Sequence, residues 1–150
     1  MVNWGELPDA VLFACSLNSV RSPMAAAILD HLASQNVHAT SAGARKGKID
    51  QFAVAVMDEI GIDISGHKPT AISELDEASF DLIITLSPEA HHQALEFART
   101  NSIEVEYWPI PDPTAVSGSR ETILEAYRAC RDQLTQQIKQ RFGLGGGPHV

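Results

Sequence analysis

The sequence predicts an α/β fold with a parallel sheet, because apolar runs typical of buried strands alternate with segments of helical periodicity. Two runs, residues 10–15 and 81–86, are apolar or β-branched over nearly their whole length, as strands buried on both faces are. A Ser-Pro pair follows each of them (Ser22-Pro23 and Ser87-Pro88), and serine before proline is a common start of a helix. We therefore expect one domain in which helices cover both faces of the sheet.

The remaining elements follow from apolar spacing and turn residues. The expected strands are residues 10–15, 37–42, 81–86 and 103–108, and the expected helices are residues 22–35, 52–60, 72–78, 88–99 and 119–142. Gly61 is expected to end the second helix, and the prolines of residues 109–113 cannot continue the fourth strand because proline lacks a backbone donor. We expect a lead-in at residues 1–8, the domain at residues 9–142 and a disordered tail at residues 143–150.

Composition disfavours several classes of function. The formal net charge of −8 argues against non-specific nucleic-acid binding and against attraction to anionic membranes. No apolar run approaches the roughly 20 residues of a membrane span, and residues 1–8 lack the regions of a signal peptide, so we expect a cytoplasmic protein. The two cysteines, Cys15 and Cys130, indicate neither a disulfide framework nor a metal-ligand spacing, and we predict no metal and no cofactor.

The segment from Cys15 to Arg21 is the strongest candidate site. It joins a predicted strand to a predicted helix start, where several backbone N–H groups can point at one anion. The helix N-terminus and the Arg21 guanidinium both favour a thiolate at Cys15, which indicates a nucleophile aimed at a phosphate-like group. The alternative, equally compatible with these two residues, is a buried core cysteine at a strand end and a surface arginine.

Two further side chains of this segment have a catalytic and an ordinary interpretation. Ser22 can donate a hydrogen bond to the thiolate or serve as a helix N-cap, and both roles are compatible. Asn18 can brace the loop through bonds to the backbone or be a plain turn residue.

Other polar residues follow the other predicted strands, at the same edge of the sheet as Cys15. Residues 41–43 follow the second strand, Ser87 the third and Asp112 the fourth. In parallel sheets ligands bind outside the carboxyl ends of the strands, so we expect these segments to meet at one crevice. Asp112 lies between two prolines and is the best candidate for a general acid. The alternative is that Asp-Pro is only a turn signal.

The segment Cys15-Ser16-Leu17-Asn18-Ser19-Val20-Arg21-Ser22 resembles the C-x5-R-S loop of low-molecular-weight protein tyrosine phosphatases and the related arsenate reductases. Residues 40–43, 61–67, 81–85 and Asp112-Pro113 fall in that family's order and spacing, and the resemblance covers roughly residues 11–142. It implies a single three-layer α/β/α domain with a four-stranded parallel sheet in the order 2-1-3-4.

The resemblance also implies roles for individual residues. Cys15 is implied as the nucleophile, and Arg21 as a phosphate binder. Ser22 is implied as the stabiliser of the thiolate, and Asp112 as the acid and then the base. The implied phosphate-binding residues are Ser16, Leu17, Asn18, Ser19, Val20, Arg21 and Ser22, and the implied supporting network is Asn18, Ser41 and His67. For His67 a purely structural role is the simpler interpretation. The implied partners are a phosphorylated protein or a small phosphomonoester, with phosphate, arsenate and vanadate as inhibitory oxyanions.

Several positions depart from the relatives. Phosphatases of the family usually have glycine where Leu17 stands and often a second cysteine where Val20 stands. Because this chain has valine at position 20, it lacks the vicinal disulfide that protects the nucleophile in such enzymes. They often carry tyrosines where Thr114-Ala115 follow Asp-Pro, so a stacking wall for phosphotyrosine is lost. Thioredoxin-coupled arsenate reductases need two further cysteines in residues 86–94, and this chain has none there. Cys130 lies on the apolar stripe of the last helix, where we predict core packing.

These observations lead to one main hypothesis and two alternatives. The main hypothesis is a cysteine-dependent phosphomonoester phosphatase, a tyrosine-type hydrolase with a cysteinyl-phosphate intermediate. The alternatives are an arsenate reductase that uses an external thiol and a non-catalytic module that binds oxyanions. His91 and His92 are interpreted as a solvated helix face. The basic loop of Arg45, Lys46 and Lys48 supplies either a local positive potential or only surface charge.

Overall fold

The structure, a computed structural model, describes residues 7–33, 35–76, 79–99 and 102–144. Its elements in chain order are β1 (Ala10–Cys15), α1 (Arg21–Ala33), β2 (His38–Gly43), α2 (Gln51–Asp58), β3 (Leu82–Thr85), α3 (Pro88–Ala98), β4 (Glu104–Tyr107) and α4 (Arg120–Phe142). Two short 3₁₀ turns, Ile72–Glu74 and Pro113–Ala115, precede β3 and follow β4. Most of the expected lead-in and tail, residues 1–6 and 145–150, lies outside the described residues.

The four strands form one parallel sheet in the order β2-β1-β3-β4, which confirms the order implied by the family resemblance. The register aligns the carboxyl ends of the strands. Cys15 pairs with Gly43 of β2, and Thr85 of β3 pairs with Ala14 of β1 and with Tyr107 of β4. The loops that follow all four strands therefore leave the same edge of the sheet.

Helices cover both faces of the sheet, because side chains alternate between the faces along each strand. Val11 and Phe13 of β1 pack in a core shared with α1, α2 and α4. Leu12 and Ala14 pack on the opposite face with Ala90 and Ala94 of α3. Among the described residues no helix combines the length and the apolar character that a membrane span requires.

Local sequence signals define most of the helix ends. Ser87 caps α3 by accepting a hydrogen bond from the Ala90 N–H. Ser119 caps α4, and Gly143 ends it with a φ of 66°. Gly61 follows α2 with a φ of 80°, a conformation that glycine adopts without steric cost.

Two local predictions were wrong. The helix α1 begins at Arg21, so Ser22 lies in its first turn rather than at the N-cap position. The reason is that the Ser22 hydroxyl is engaged by groups distant in sequence, including the Ala42 carbonyl oxygen at 3.2 Å. The expected helix at residues 72–78 is only the 3₁₀ turn Ile72–Glu74, and residues 77 and 78 lie outside the described residues.

Candidate active site

The loop that connects β1 to α1 has its carbonyl oxygens turned outward. A neighbouring segment, residues 44–50, donates four backbone hydrogen bonds to these oxygens. The bonds run from Ala44 to Cys15 (2.9 Å), from Arg45 to Ser16 (2.8 Å), from Gly47 to Leu17 (2.8 Å) and from Asp50 to Ser19 (3.2 Å). In a trans peptide unit the C=O and the N–H point in opposite directions. The N–H groups of the same peptide units are therefore directed to the inner side of the loop, where an anion can be bound.

The close approach of β2 to this loop requires glycine at position 43. A Cβ atom on Gly43 would lie 2.3 Å from the carbonyl oxygen of Arg45 and 2.7 Å from the backbone nitrogen of Asn18. Both are backbone atoms and cannot move aside as a flexible side chain can. Gly43 is a positioning residue that the sequence analysis missed, although a glycine at the end of a strand is the expected signal of such an approach.

The thiol of Cys15 lies at the bottom of the loop, at the end of β1, and is 2% exposed. Its Sγ is 3.0 Å from the Ser22 Oγ and 3.4 Å from the Ser22 backbone nitrogen, which donates to it. The Ser22 hydroxyl has two acceptors within reach, the sulfur and the Ala42 carbonyl oxygen. It can therefore donate to the carbonyl when Cys15 is a thiol and to the sulfur when Cys15 is a thiolate.

The side chain of Asn18 links the loop to two other segments. Asn18 is fully buried and has a φ of 55°. Its Nδ2 donates to the hydroxyl oxygens of Ser22 (2.9 Å) and Ser41 (3.0 Å), and its Oδ1 accepts from the His67 Nε2 (3.0 Å) and the Thr70 N–H (2.9 Å). Because Oδ1 only accepts, His67 carries a proton on Nε2. Burial lowers the pKa of His67, which favours the neutral ring.

The guanidinium of Arg21 is held by carbonyl groups that follow two strands. Its Nη1 donates to the Leu86 oxygen at 3.3 Å and to the Ile110 oxygen at 3.0 Å. Its Nη2 lies 3.7 Å from the Asp112 Oδ2. The side chain is buried, so these anchors fix one edge of the guanidinium and direct another toward Asp112.

The carboxyl group of Asp112 lines the same cavity as the loop. Asp112 is the N-cap of the 3₁₀ turn Pro113–Ala115, and its Oδ1 accepts from the Thr114 N–H. This cavity has a volume of about 50 Å³ and is lined by Cys15, Ser16, Leu17, Ser19, Val20, Arg21, Asp112 and Thr114. Chemically, the cavity offers a sulfur nucleophile, inward N–H groups, a guanidinium and a carboxyl group.

The structure brings together the end of β2 and the segments that follow β1, β3 and β4. Ser41, which lies within β2 rather than after it, contacts the loop through Asn18, and Ser87 contacts it through a hydrogen bond from the Ser16 hydroxyl at 3.0 Å. Asp112 faces Arg21. Leu17 stands where the family usually has glycine, but the loop does not require glycine there, because Leu17 has no positive φ. In the described ranges Asn18 is the non-glycine residue with a positive φ. The bond between Ser16 and Ser87 and the role of segment 44–50 left no signal in the sequence.

The basic loop carries less free charge than its sequence indicates. Arg45 forms a bidentate ion pair with Glu89, at 2.8 and 3.0 Å, and Lys46 lies 3.3 Å from Glu74. Arg45 holds the pKa of Glu89 below its ordinary range, and the Ala71 N–H followed by Lys46 lowers the pKa of Glu74, so both carboxyl groups are ionised at neutral pH. Among the described residues that line the cavity, Arg21 is the cation, whereas Arg45 and Lys46 are paired with carboxylates.

Cys130 and His91, two residues with predictions from the sequence, lie outside the cavity. Cys130 is buried in the core, and burial raises its pKa to about 12. The interpretation of His91 as part of a solvated face was wrong, because its Nδ1 lies 2.9 Å from the Thr85 hydroxyl and its ring stacks on Tyr107. The stacking partner comes from a strand distant in sequence, and the helix pattern contained no sign of it.

Comparison with known proteins places this geometry in a family. Residues 10–143 match the model of the low molecular weight phosphotyrosine protein phosphatases. The chain belongs to this family. This member is 31% identical over 129 residues to the glutaredoxin arsenate reductase of Synechocystis sp. (strain ATCC 27184 / PCC 6803 / Kazusa), which covers 86% of the chain and 92% of the relative.

Solved structures agree with the family assignment. An arsenate reductase in a phosphate-binding state matches with a TM-score of 0.72 at 28% identity, over 91% of this chain and 99% of that one. The tyrosine phosphatase Wzb from Escherichia coli K30, in complex with sulphate, matches with a TM-score of 0.76 over 91% and 98%; its 24% identity shows the fold. The chain is therefore a member of an enzyme family whose relatives are named both phosphatases and arsenate reductases.

Proposed function

We propose that this protein is a phosphomonoester phosphatase that works through a cysteinyl-phosphate intermediate. One observation carries the proposal: the Cys15 sulfur accepts the Ser22 N–H and lies 3.0 Å from its hydroxyl, at the bottom of a loop whose N–H groups are turned inward. Both donors stabilise negative charge on sulfur, and the loop stabilises negative charge on a bound phosphoryl group. A structural cysteine requires neither feature.

The proposed reaction has two steps. In the first, the Cys15 thiolate attacks phosphorus, the S–P bond forms, the P–O bond of the ester breaks, and Asp112 transfers its proton to the leaving oxygen. In the second, a water molecule attacks the phosphorus of the cysteinyl phosphate. Asp112 takes a proton from that water, the S–P bond breaks, and inorganic phosphate leaves with Cys15 again a thiolate.

Arg21 and the loop supply the electrostatic part of the reaction. The equatorial oxygens of the phosphoryl group spread the charge of the transition state, and inward N–H groups together with the guanidinium can bind them. Because the Leu86 and Ile110 carbonyls already orient Arg21, the side chain needs little reorganisation when the substrate enters.

Replacement of the nucleophile tests the proposal. We expect the wild-type protein to hydrolyse p-nitrophenyl phosphate and Cys15→Ser to lose about 10⁴-fold or more in kcat, because a neutral hydroxyl is a poor nucleophile. Cys130→Ala is the matched control, and we expect it to retain turnover since its thiol is buried in the core. Sustained turnover by Cys15→Ser, with phosphate binding intact, contradicts the mechanism.

Arsenate reduction is a second candidate, favoured by the 31% identity to a relative named arsenate reductase. Arsenate and phosphate are both tetrahedral oxyanions, so the same loop suits both. Reduction of arsenate to arsenite takes two electrons, which two thiols supply as they form a disulfide. Cys15 provides one thiol, and the burial of Cys130, which raises its pKa to about 12, makes Cys130 a poor second one. An external thiol such as glutathione would then be required.

A paired assay separates the two reactions. We expect p-nitrophenyl phosphate turnover to exceed arsenite formation at matched enzyme concentration, and to be independent of added glutathione. Thiol-dependent arsenite formation that exceeds phosphatase turnover assigns the protein to arsenate reduction instead.

A further inference from the structure

The carboxyl group of Asp112 is bound at one of its oxygens by two donors from the same residue. Its Oδ1 accepts from the Thr114 backbone N–H at 3.0 Å and from the Thr114 hydroxyl at 2.7 Å. In the described part of the chain its Oδ2 has no such donor, and it lies 3.7 Å from the Arg21 Nη2. A carboxylate oxygen has two lone-pair directions, and at Oδ1 the two Thr114 donors fill both of them.

This asymmetry determines where a proton can lie. A neutral carboxylic acid carries its proton on one oxygen, and a proton on Oδ1 would face a donor already present there. While Asp112 is ionised, the Thr114 hydroxyl is the donor in its pair, because a carboxylate oxygen only accepts. A proton on Oδ1 would require this hydroxyl to turn and accept instead, whereas a proton on Oδ2, the oxygen on the side of Arg21, leaves both Thr114 bonds in place. Oδ2 is therefore the favoured position of the proton. Thr114 itself lines the cavity that contains Cys15.

The two bonds from Thr114 have different origins. The N–H bond belongs to the 3₁₀ turn, in which Asp112 is the N-cap and any residue other than proline at position 114 supplies it. The hydroxyl bond depends on the side chain, and only a serine or threonine supplies it with the same reach. Asp112 is about half-exposed, so few other contacts restrict the rotation of its carboxyl group.

We propose that Thr114 is a positioning residue, whose hydroxyl orients the Asp112 carboxyl group so that Oδ2 carries the proton used in the reaction. The inference rests on the proposed function, in which Asp112 is the acid. In the first step the Oδ2–H bond breaks and its proton goes to the ester oxygen as that oxygen leaves phosphorus. In the second step Oδ2 receives the proton of the attacking water.

The role predicts a dependence on the leaving group. A leaving group that is stable as an anion, such as p-nitrophenolate, needs little proton transfer, whereas the more basic phenolate needs more. A poorly oriented acid therefore slows the hydrolysis of phenyl phosphate more than that of p-nitrophenyl phosphate. A general loss of folded protein would slow the hydrolysis of both substrates equally.

The experiment measures kcat/KM for both substrates in the wild type, Thr114→Val, Thr114→Ser and Asp112→Asn. For Thr114→Val we expect kcat/KM to fall about 5- to 10-fold with phenyl phosphate and less than about twofold with p-nitrophenyl phosphate. The larger loss is a fraction of the rate enhancement of about 10²–10⁴-fold that a general acid supplies. Thr114→Ser should restore the wild-type ratio, because it keeps the hydroxyl. Inhibition by vanadate and thermal melting check that each variant is folded.

The control for removal of a hydroxyl is Thr135→Val on α4, whose hydroxyl donates to the Arg131 carbonyl and should leave both rates unchanged. A Thr114→Val variant with wild-type rates on both substrates, beside an impaired Asp112→Asn, overturns the positioning role alone. Equal losses on both substrates overturn it too. An unimpaired Asp112→Asn overturns the role of Asp112 as the acid, and the inference with it.

Discussion

The floor and the rim of the candidate site are held in different ways. The floor consists of Cys15, Asn18, Arg21 and Ser22, and all four are buried. Their distant partners include groups at the end of β2 and in the segments that follow β3 and β4. The rim consists of Leu17, Asp112 and Thr114, which are exposed. Within the rim, Asp112 is held mainly by its own turn.

This difference separates the reaction from its specificity. On the floor, one side chain such as Asn18 satisfies four groups at once, so a single change leaves several buried polar atoms without partners. On the rim, a change alters one local bond or one exposed surface. We therefore expect the floor to determine what chemistry is possible, and the rim to determine how fast particular substrates react.

The largest effect is expected at the contact between the floor and β2. Gly43→Ala places a Cβ atom 2.3 Å from the Arg45 carbonyl oxygen, and the loop must shift to relieve the clash. We expect the free energy of unfolding in urea to fall by about 3 kcal/mol, the upper part of the usual range for overpacking. Turnover of p-nitrophenyl phosphate should be nearly lost.

The control for this change is Gly66→Ala. A Cβ atom there meets nothing within 4 Å, so stability and activity should both be retained. Wild-type activity in Gly43→Ala would show that the floor tolerates displacement, and would remove the distinction between floor and rim.

A smaller effect is expected from the titration of His67, which donates to Asn18 on the floor. Burial lowers its pKa, so below the ordinary value of about 6.5 the unfolded chain binds a proton that the folded state resists. As the pH falls through this value, protonation favours the unfolded state and the free energy of unfolding decreases. Above it the ring is neutral in both states, and the effect vanishes.

The matched variant is His67→Gln, whose amide can donate to Asn18 and does not titrate. Urea unfolding between about pH 7 and pH 5 should show a smaller decrease for His67→Gln than for the wild type. The carboxylates with lowered pKa values, such as Glu59 at about 2, contribute mainly at lower pH. Identical slopes for the two proteins over this range would contradict the assignment of the titration to His67.

The smallest effect is expected at Leu17 on the rim. Leu17 is 39% exposed and lines the cavity, so Leu17→Ala removes apolar surface next to an aryl leaving group. We expect KM for p-nitrophenyl phosphate to rise about threefold with kcat unchanged, because this contact is the same in substrate and transition state. Leu95→Ala, at a residue 50% exposed on α3, is the control. A fall in kcat with Leu17→Ala would place Leu17 in the floor.

Predictions from local signals were the most successful. Continuous apolar runs identified β1 and β3, and Ser87 and Ser119 mark the starts of α3 and α4 as expected. These features depend on a few neighbouring residues. The N-cap role of Ser22 and the solvated face at His91 were wrong because their partners, Ala42 and Tyr107, are distant in sequence.

The site itself was predicted in part. Cys15, Arg21 and Asp112 were candidates from their places at strand ends, and the structure brings all three to one cavity. Segment 44–50 was interpreted only as a basic loop, yet its backbone turns the carbonyls of the loop outward. Backbone hydrogen bonds do not depend on side-chain type, so the sequence contains no direct sign of them.

The sequence by itself determined the elements, their order and the residue types available at the strand ends, because apolar periodicity and caps act over a few residues. The tertiary structure alone decided the inward direction of the loop N–H groups, the four bonds of Asn18 and the oxygen of Asp112 that faces Arg21. For the loop, and for every Asn18 partner except Ser22, the partners lie more than 20 residues away, so only the folded chain brings them within hydrogen-bond distance. For Asp112 the partner is near in sequence, and the fold decides which oxygen faces Arg21.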